Sequence, residues 1–218
     1  VKSIPHPENP PRLKRNVTVA IPTYKRTELL ENALESAINQ TDVKEYEIII
    51  VDNDPEDHKA SDVFLKYKRD NLYYFKNEKN IGLYCNWNRC IELSAGDYIS
   101  ILNDDDWLSP NFLSLCHQHL KPGIHGLIFK YNTVFQDAFS EKATAQKSHF
   151  SSLKNALARK EKKLTLYDYF LGNKSAGSLG VMMKRDLLIE LGGYNPGFYS
   201  SRDYFLHSDY WKPFHFLL

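Results

Sequence analysis

Three consecutive carboxylates, Asp104, Asp105 and Asp106, follow a short apolar run from Tyr98 to Leu102. Adjacent carboxylates repel one another, so the chain gains nothing from them as plain structure. Held at the carboxyl end of a strand in an open α/β sheet, they would lie where such folds bind ligands. Clustered hard oxygen donors attract Mg²⁺ or Mn²⁺, and such a metal commonly bridges to phosphates. The residues therefore point to a metal-assisted phosphate site. The competing interpretation is an acidic loop in which Asp106 or Ser109 caps a helix that Pro110 opens.

The elements that must hold this cluster are legible in the apolar spacing. Val17 to Ile21 reads as a buried strand ended by Pro22. From Thr27, a plausible cap, the residues Leu29, Leu30, Ala33, Leu34, Ala37 and Ile38 fall on one helical stripe. Tyr46 to Val51 is a continuous apolar strand, and Asp52 to Pro55 a turn. Helix over 56–69, strand over 72–76, the loop Asn77 to Gly82, helix over 84–95 and the strand into the aspartates follow. Continuous apolar strands alternating with helices predict a Rossmann-like, mostly parallel sheet with helices on both faces, an α/β fold. Further on, 109–120 reads as helix, Gly126 to Phe135 as strand, and Leu164 to Leu171 as a short helix. Ser178 to Met183 reads as strand, and Arg185 to Leu191 as a helix closed by Gly192 and Gly193. The charged run from Arg159 to Lys163 reads as a solvated helix face, against contact with an anionic substrate or membrane surface.

Composition bounds the classes. At 218 residues, 42% hydrophobic and 25% charged, the chain can bury a proper core. A net charge of +1 supplies no bulk field for nucleic acid. The cysteines Cys85, Cys90 and Cys116 form no CxxC pair, which predicts reduced thiols, no structural zinc and a cytoplasmic setting. No apolar run reaches spanning length. His117, His119 and His125 show no ligand spacing. Residues 1–15, with Pro5, Pro7, Pro10 and Pro11, read as an extended, loosely held arm. The last residues, Phe214 to Leu218, stop mid-pattern among aromatics, which predicts a fragment of a longer protein with 16–218 as one domain.

Several motifs stand in one order. They are Val19 to Arg26, Leu34 to Thr41, Ile48 to Asn53, Asn80 to Gly82, Asn86 to Cys90, Ala95 to Tyr98, then the aspartates. Gly172 to Ser175, Gly192 to Asn195 and Phe198 to Asp203 follow. Together they resemble a family-2 glycosyltransferase of the GT-A fold, of the bacterial surface-polysaccharide type. The resemblance implies an inverting transfer of a sugar from a nucleotide-diphosphate sugar, a UDP-sugar, to an acceptor hydroxyl on a glycan, lipid-linked or protein acceptor. Residues 16–108 would bind the donor and 109–218 the acceptor. Pro22, Thr23, Tyr24, Arg26, Asp52, Asn53, Asn80, Gly82, Arg89 and Asp104 would line the nucleotide. Tyr24 could stack on a uracil ring, and Asp52 with Asn53 could hydrogen-bond its edge, the alternative being an Asx turn before Pro55. Asn53 stands where the family more often has Asp, and Asn103 where many relatives have Asp. Asp105 and Asp106 would hold Mn²⁺ or Mg²⁺, and Asp203 would be the general base, its alternative a helix cap before Tyr204. A peripheral contact at the inner face of the membrane fits such acceptors. Two rivals remain: a nucleotidyltransferase, for which the turn Pro22 to Arg26 lacks the expected glycines, and a non-catalytic nucleotide-sugar-binding module.

Overall fold

The computed structural model describes residues 2–128, 181–194 and 196, with the backbone of 163–164 and 216–217. Four parallel strands make the centre: β2 (Val17–Thr23), β3 (Tyr46–Asp52), β4 (Leu72–Asn77) and β5 (Tyr98–Ile101). They are flanked by β1 (Ser3–Pro5) on one side and by β6 (Gly126–Ile128), β7 (Lys163–Leu164), β8 (Val181–Lys184) and β9 (Phe216–Leu217) on the other. The sheet runs β1-β4-β3-β2-β5-β8-β6-β9-β7. Helices α1 (Thr27–Ile38), α2 (Lys59–Lys66), α3 (Leu83–Leu93), α4 (Phe112–His119) and α5 (Arg185–Glu190) cover it.

Central strands are apolar on both faces, so successive residues feed two cores. Val19, Ile21, Ile48, Ile50 and Leu72 pack with α1, α2 and α4 through Leu30, Leu34, Phe64 and Leu113. Ala20, Ile49, Val51, Tyr73 and Ile99 pack on the opposite face with α3 and α5 through Trp87, Ile91, Leu187 and Leu188. This is the expected α/β architecture with helices on both faces.

The strand order places β3 and β4 on one side of β2 and β5 on the other. The chain thus reverses its direction of growth between β2 and β5. In open α/β sheets the crevice at the carboxyl ends beside such a reversal is the ligand site.

Several local expectations are corrected. β2 does not stop at Pro22 but runs to Thr23, pairing Pro22 with Val51. The proline is tolerated because its ring nitrogen faces the β5 side, where the ladder has ended at Ala20 and Ile101. Thr27 is not the cap of α1: it is the first helical residue, and Arg26 occupies the cap with no side-chain capping bond. Neither Asp106 nor Ser109 caps the next helix, which begins at Phe112 after Asn111. The amino-terminal arm is extended but not loose. Ser3 to Pro5 pair antiparallel with β4, and His6 lies 5.0 Å from the Phe64 ring. Arg12 grips Glu47, a fully buried carboxylate, from 2.9 and 3.1 Å. Leu164, expected to open a helix, lies in β7 opposite Phe216, because a partner strand supplied by tertiary structure overrides a local apolar period. The expected glycine closure of α5 is present: Gly192 and Gly193 have φ of 82° and 71°.

Candidate active site

Thr23 ends β2 and Asp104 follows β5, on the two sides of the reversal point. Thr23 Oγ1 donates to Asp104 Oδ2 at 2.9 Å. Asp104 is 1% exposed, held there because the Leu102 amide donates to the Ala20 carbonyl at 2.9 Å and draws the next residues against β2. Burial pushes its carboxyl above the ordinary carboxylate range, while the Thr23 hydrogen bond and the Arg26 charge pull it back part of the way.

Arg26 reaches back from the start of α1 and bridges two of the three aspartates. Its Nη2 lies 2.6 Å from Asp104 Oδ1, and its Nη1 donates to Asp105 Oδ2 at 2.8 Å. The contact with Asp104 Oδ1 is close but lacks the alignment of a hydrogen bond. Asp106 turns elsewhere: its Oδ2 accepts from Asn103 Nδ2 at 3.0 Å. Burial raises its carboxyl as well, opposed by that hydrogen bond. The pair that shares a cation is thus Asp104 with Asp105. Among the described residues no three His, Cys, Asp or Glu side chains gather around one point. The donor set nevertheless suits Mn²⁺ or Mg²⁺, which take few protein carboxylates and complete their shell with water and phosphate oxygens. A buried carboxylate oxygen without an aligned donor is the specific feature that fits.

The neighbouring strand ends carry the other expected residues. Asp52, buried at the end of β3, accepts from Tyr74 Oη at 2.6 Å and from the Asp54 amide at 2.9 Å. Burial raises the Asp52 carboxyl against these bonds, and burial with the adjacent Asp52 charge drives the Tyr74 hydroxyl far upward. Tyr24 is 40% exposed beside the crevice, with Lys25 Nζ 5.3 Å from its ring centre.

Asn53 faces the loop after β4. Its Oδ1 accepts from Asn77 Nδ2 and from the Ile81 amide, both at 3.0 Å, and its Nδ2 donates to Asn80 Oδ1 at 2.8 Å. Asn80 Oδ1 also accepts from the Gly82 amide at 2.9 Å. Gly82 holds φ of 80° at the start of α3, a conformation that side chains disfavour. Arg89, on α3, pairs with Glu92 at 2.6 Å.

Sequence reasoning missed two parts of this edge. Tyr74 was legible only as a strand residue, and its grip on Asp52 depends on β3–β4 pairing. Asn77 and Asn86 complete the asparagine network at 2.8 Å, and Asn86 also donates to the Val51 carbonyl at 3.1 Å. Asn86 carried a usable signal, a polar residue beside Trp87 and Cys90 on the buried stripe of α3. On the expected acceptor side, Tyr194 docks on α3 through two hydrogen bonds with Asn88, at 2.7 and 2.8 Å. Asp203, Asn195 and the segment Gly172 to Ser175 lie outside the described residues.

Known proteins share this sequence pattern and this fold. The family model described as "Glycosyl transferase family 2" matches residues 18–187. A Campylobacter jejuni protein named GalNAc(5)-diNAcBac-PP-undecaprenol beta-1,3-glucosyltransferase is 30% identical over 85% of this chain and 56% of its own length. S. aureus TarS 1-349 in complex with UDP superposes with a TM-score of 0.66 at 17% identity, covering 93% of this chain and 57% of that one. The mannosyltransferase PcManGT from Pyrobaculum calidifontis, in complex with GDP-Man and Mn²⁺, gives 0.58 at 17% identity, covering 89% and 51%. These structural likenesses establish the GT-A fold. The chain spans 60% and 56% of the length of two curated relatives that it matches.

Proposed function

Because the chain belongs to glycosyl transferase family 2, we propose that it moves a sugar from a UDP-sugar to an acceptor hydroxyl with inversion at the sugar carbon. One observation carries the proposal: the Thr23–Asp104–Arg26–Asp105 constellation stands at the carboxyl edge where the sheet reverses. An anionic ligand with its own divalent cation suits that place, and a nucleoside diphosphate has that chemistry.

In this reading Tyr24 offers a flat ring to the base, and Asp52, held by Tyr74, offers an acceptor to its edge. Asn53 acts through the loop that it fixes, so that Asn80 and Gly82 close the pocket wall. Asp105 would hold the metal directly, with buried Asp104 beside it, and Asp106, bonded here to Asn103, would be the second carboxylate available to it. When bound, Mn²⁺ or Mg²⁺ neutralises charge on the departing diphosphate. Asp203 takes the proton from the acceptor hydroxyl as its oxygen bonds to the sugar carbon, and the bond to the diphosphate oxygen breaks. The acceptor is a glycan or a lipid-linked glycan, a view supported by the undecaprenol-linked substrate in the name of the Campylobacter relative. Lipid-linked acceptors would bring the protein to a membrane surface peripherally. Among the described residues no helix is long and apolar enough to cross one.

Competition among UDP, CDP, GDP and ADP, with and without Mn²⁺, tests the donor. UDP should bind best and only with metal; preference for a purine nucleotide refutes the uridine assignment. Asp203→Asn should cut transfer by about 10²–10⁴-fold with donor affinity unchanged. A parallel fall in donor binding would instead mark Asp203 as a structural residue.

A further inference from the structure

We infer that Arg26 is the resting counter-ion of the Asp104–Asp105 pair, that it gives up this place to the divalent cation, and that its guanidinium then passes to the donor diphosphate. The inference rests on the sugar-nucleotide reading above. Four features of the chain carry it.

The guanidinium lies between the two carboxylates, 2.6 Å from one and 2.8 Å from the other, where a shared metal ion would have to sit. Two cations cannot occupy that space together, since like charges at such range in a partly buried site repel strongly. The backbone of Arg26 is anchored, because its carbonyl accepts from the Leu30 amide at 3.0 Å. Its side chain makes no capping bond and is 47% exposed, so it can leave by rotation alone. Asp104 cannot follow it, being buried and tied to Thr23.

The pairing is also incomplete. Arg26 approaches Asp104 Oδ1 without hydrogen-bond alignment, leaving that oxygen available to a better-placed cation. A guanidinium displaced to the crevice mouth meets the ligand it suits best, since its planar fork matches phosphate oxygens two at a time. Metal alone must therefore compete with Arg26, whereas metal arriving with a nucleoside diphosphate gives Arg26 a new partner. Metal and donor binding become mutually reinforcing through one side chain.

Titration of free Mn²⁺ by electron paramagnetic resonance, with and without UDP, tests this without recourse to turnover. Arg26→Gln should bind Mn²⁺ alone about tenfold more tightly than the unmodified chain, the size of one charged hydrogen bond relieved. The same variant, saturated with Mn²⁺, should bind UDP about tenfold more weakly, for the same reason. Opposite signs in one variant are not what a folding defect produces. Lys25→Gln removes an equal charge one residue away, from a side chain resting on Tyr24, and should change the affinity for Mn²⁺ alone by less than about twofold, as expected for an exposed charge. Should Arg26→Gln fold poorly by circular dichroism, Arg26→Lys, which keeps the charge but loses the planar fork, should shift both affinities in the same directions by smaller factors. Unchanged or weaker Mn²⁺ binding by the Arg26 variants overturns the exchange while leaving the metal site standing. So does equal tightening by Lys25→Gln, which would mean a general charge effect. If the unmodified chain and every variant ignore Mn²⁺ even with UDP present, the metal reading itself fails, and the exchange with it.

Discussion

Tyr74 shows how much a single hydroxyl contributes at this edge. It donates to a carboxylate that burial has pushed above its ordinary value, and it belongs to neither the motif nor the loop that would touch the base. Tyr74→Phe keeps the ring against His6 and Phe64 but strips the donor from Asp52. It should cost about 1–3 kcal/mol in urea denaturation, the penalty for a buried acceptor left short, and should weaken UDP more than it weakens free diphosphate. Equal losses for both ligands would place Asp52 away from the base. The pH dependence at Asp52 has a definite sign. A carboxyl raised in the folded state contributes most below its unfolded value, near 3.8, and loses that contribution as pH rises through the folded value. Asp52→Asn, neutral throughout, should therefore be most destabilised relative to the unmodified chain below pH 3.8, with the gap narrowing as pH rises toward neutrality. A gap that widens with pH would show that the ionised form is the favoured one.

At the scale of elements, the close approach of β5 to β2 depends on Gly96. A Cβ there would lie 2.6 Å from the Thr18 amide nitrogen and 2.7 Å from the Val17 carbonyl carbon, both backbone atoms that have nowhere to move. Gly96→Ala should therefore lower stability by about 1–3 kcal/mol, as overpacking typically does. Because β5 carries Asp104 to Thr23, metal-dependent nucleotide binding should fall with it. Calorimetric melting and UDP titration would measure both, and an unperturbed melting temperature would contradict the packing. The amino-terminal arm is a second such element. Glu47 is wholly buried and receives Arg12, Thr18 and the Ala95 amide. Arg12→Ala should cost about 3 kcal/mol, the lower end for breaking a buried ion pair, since Arg12 itself is partly exposed. A cost below about 0.5 kcal/mol, the scale of surface pairs, would mean that Glu47 is content with its remaining donors.

For the whole molecule, donor and metal should act as folding ligands. Binding to the folded state alone stabilises by RT ln(1 + [L]/Kd), about 2.7 kcal/mol at a hundredfold excess over Kd. UDP with Mn²⁺ should raise the melting temperature clearly, while either alone should raise it little, because neither satisfies both Arg26 and the carboxylates. Equal shifts from UDP with and without Mn²⁺ would show that the diphosphate needs no metal here.

Local patterns along the chain specify the four central strands and the helices on them, because continuous apolar strands and a 3.6-residue stripe are what burial on two faces imposes directly. The sequence also marked the aspartates, since three adjacent charges after a buried strand have no structural use. The tertiary structure decided which of them act together. Asp104 and Asp105 share Arg26 while Asp106 turns to Asn103, a choice made by backbone direction after β5 that no spacing encodes. It decided too that Ser3 to Pro5 of the proline-rich arm form a strand, because an edge of β4 was available to pair with them. Likewise Asn53 became a loop anchor only once Asn77 and Asn80 were brought beside it. Hydrogen-bond partners distant in sequence are fixed by strand order and register. Those are properties of the assembled sheet, and periodicity along the chain carries no record of them.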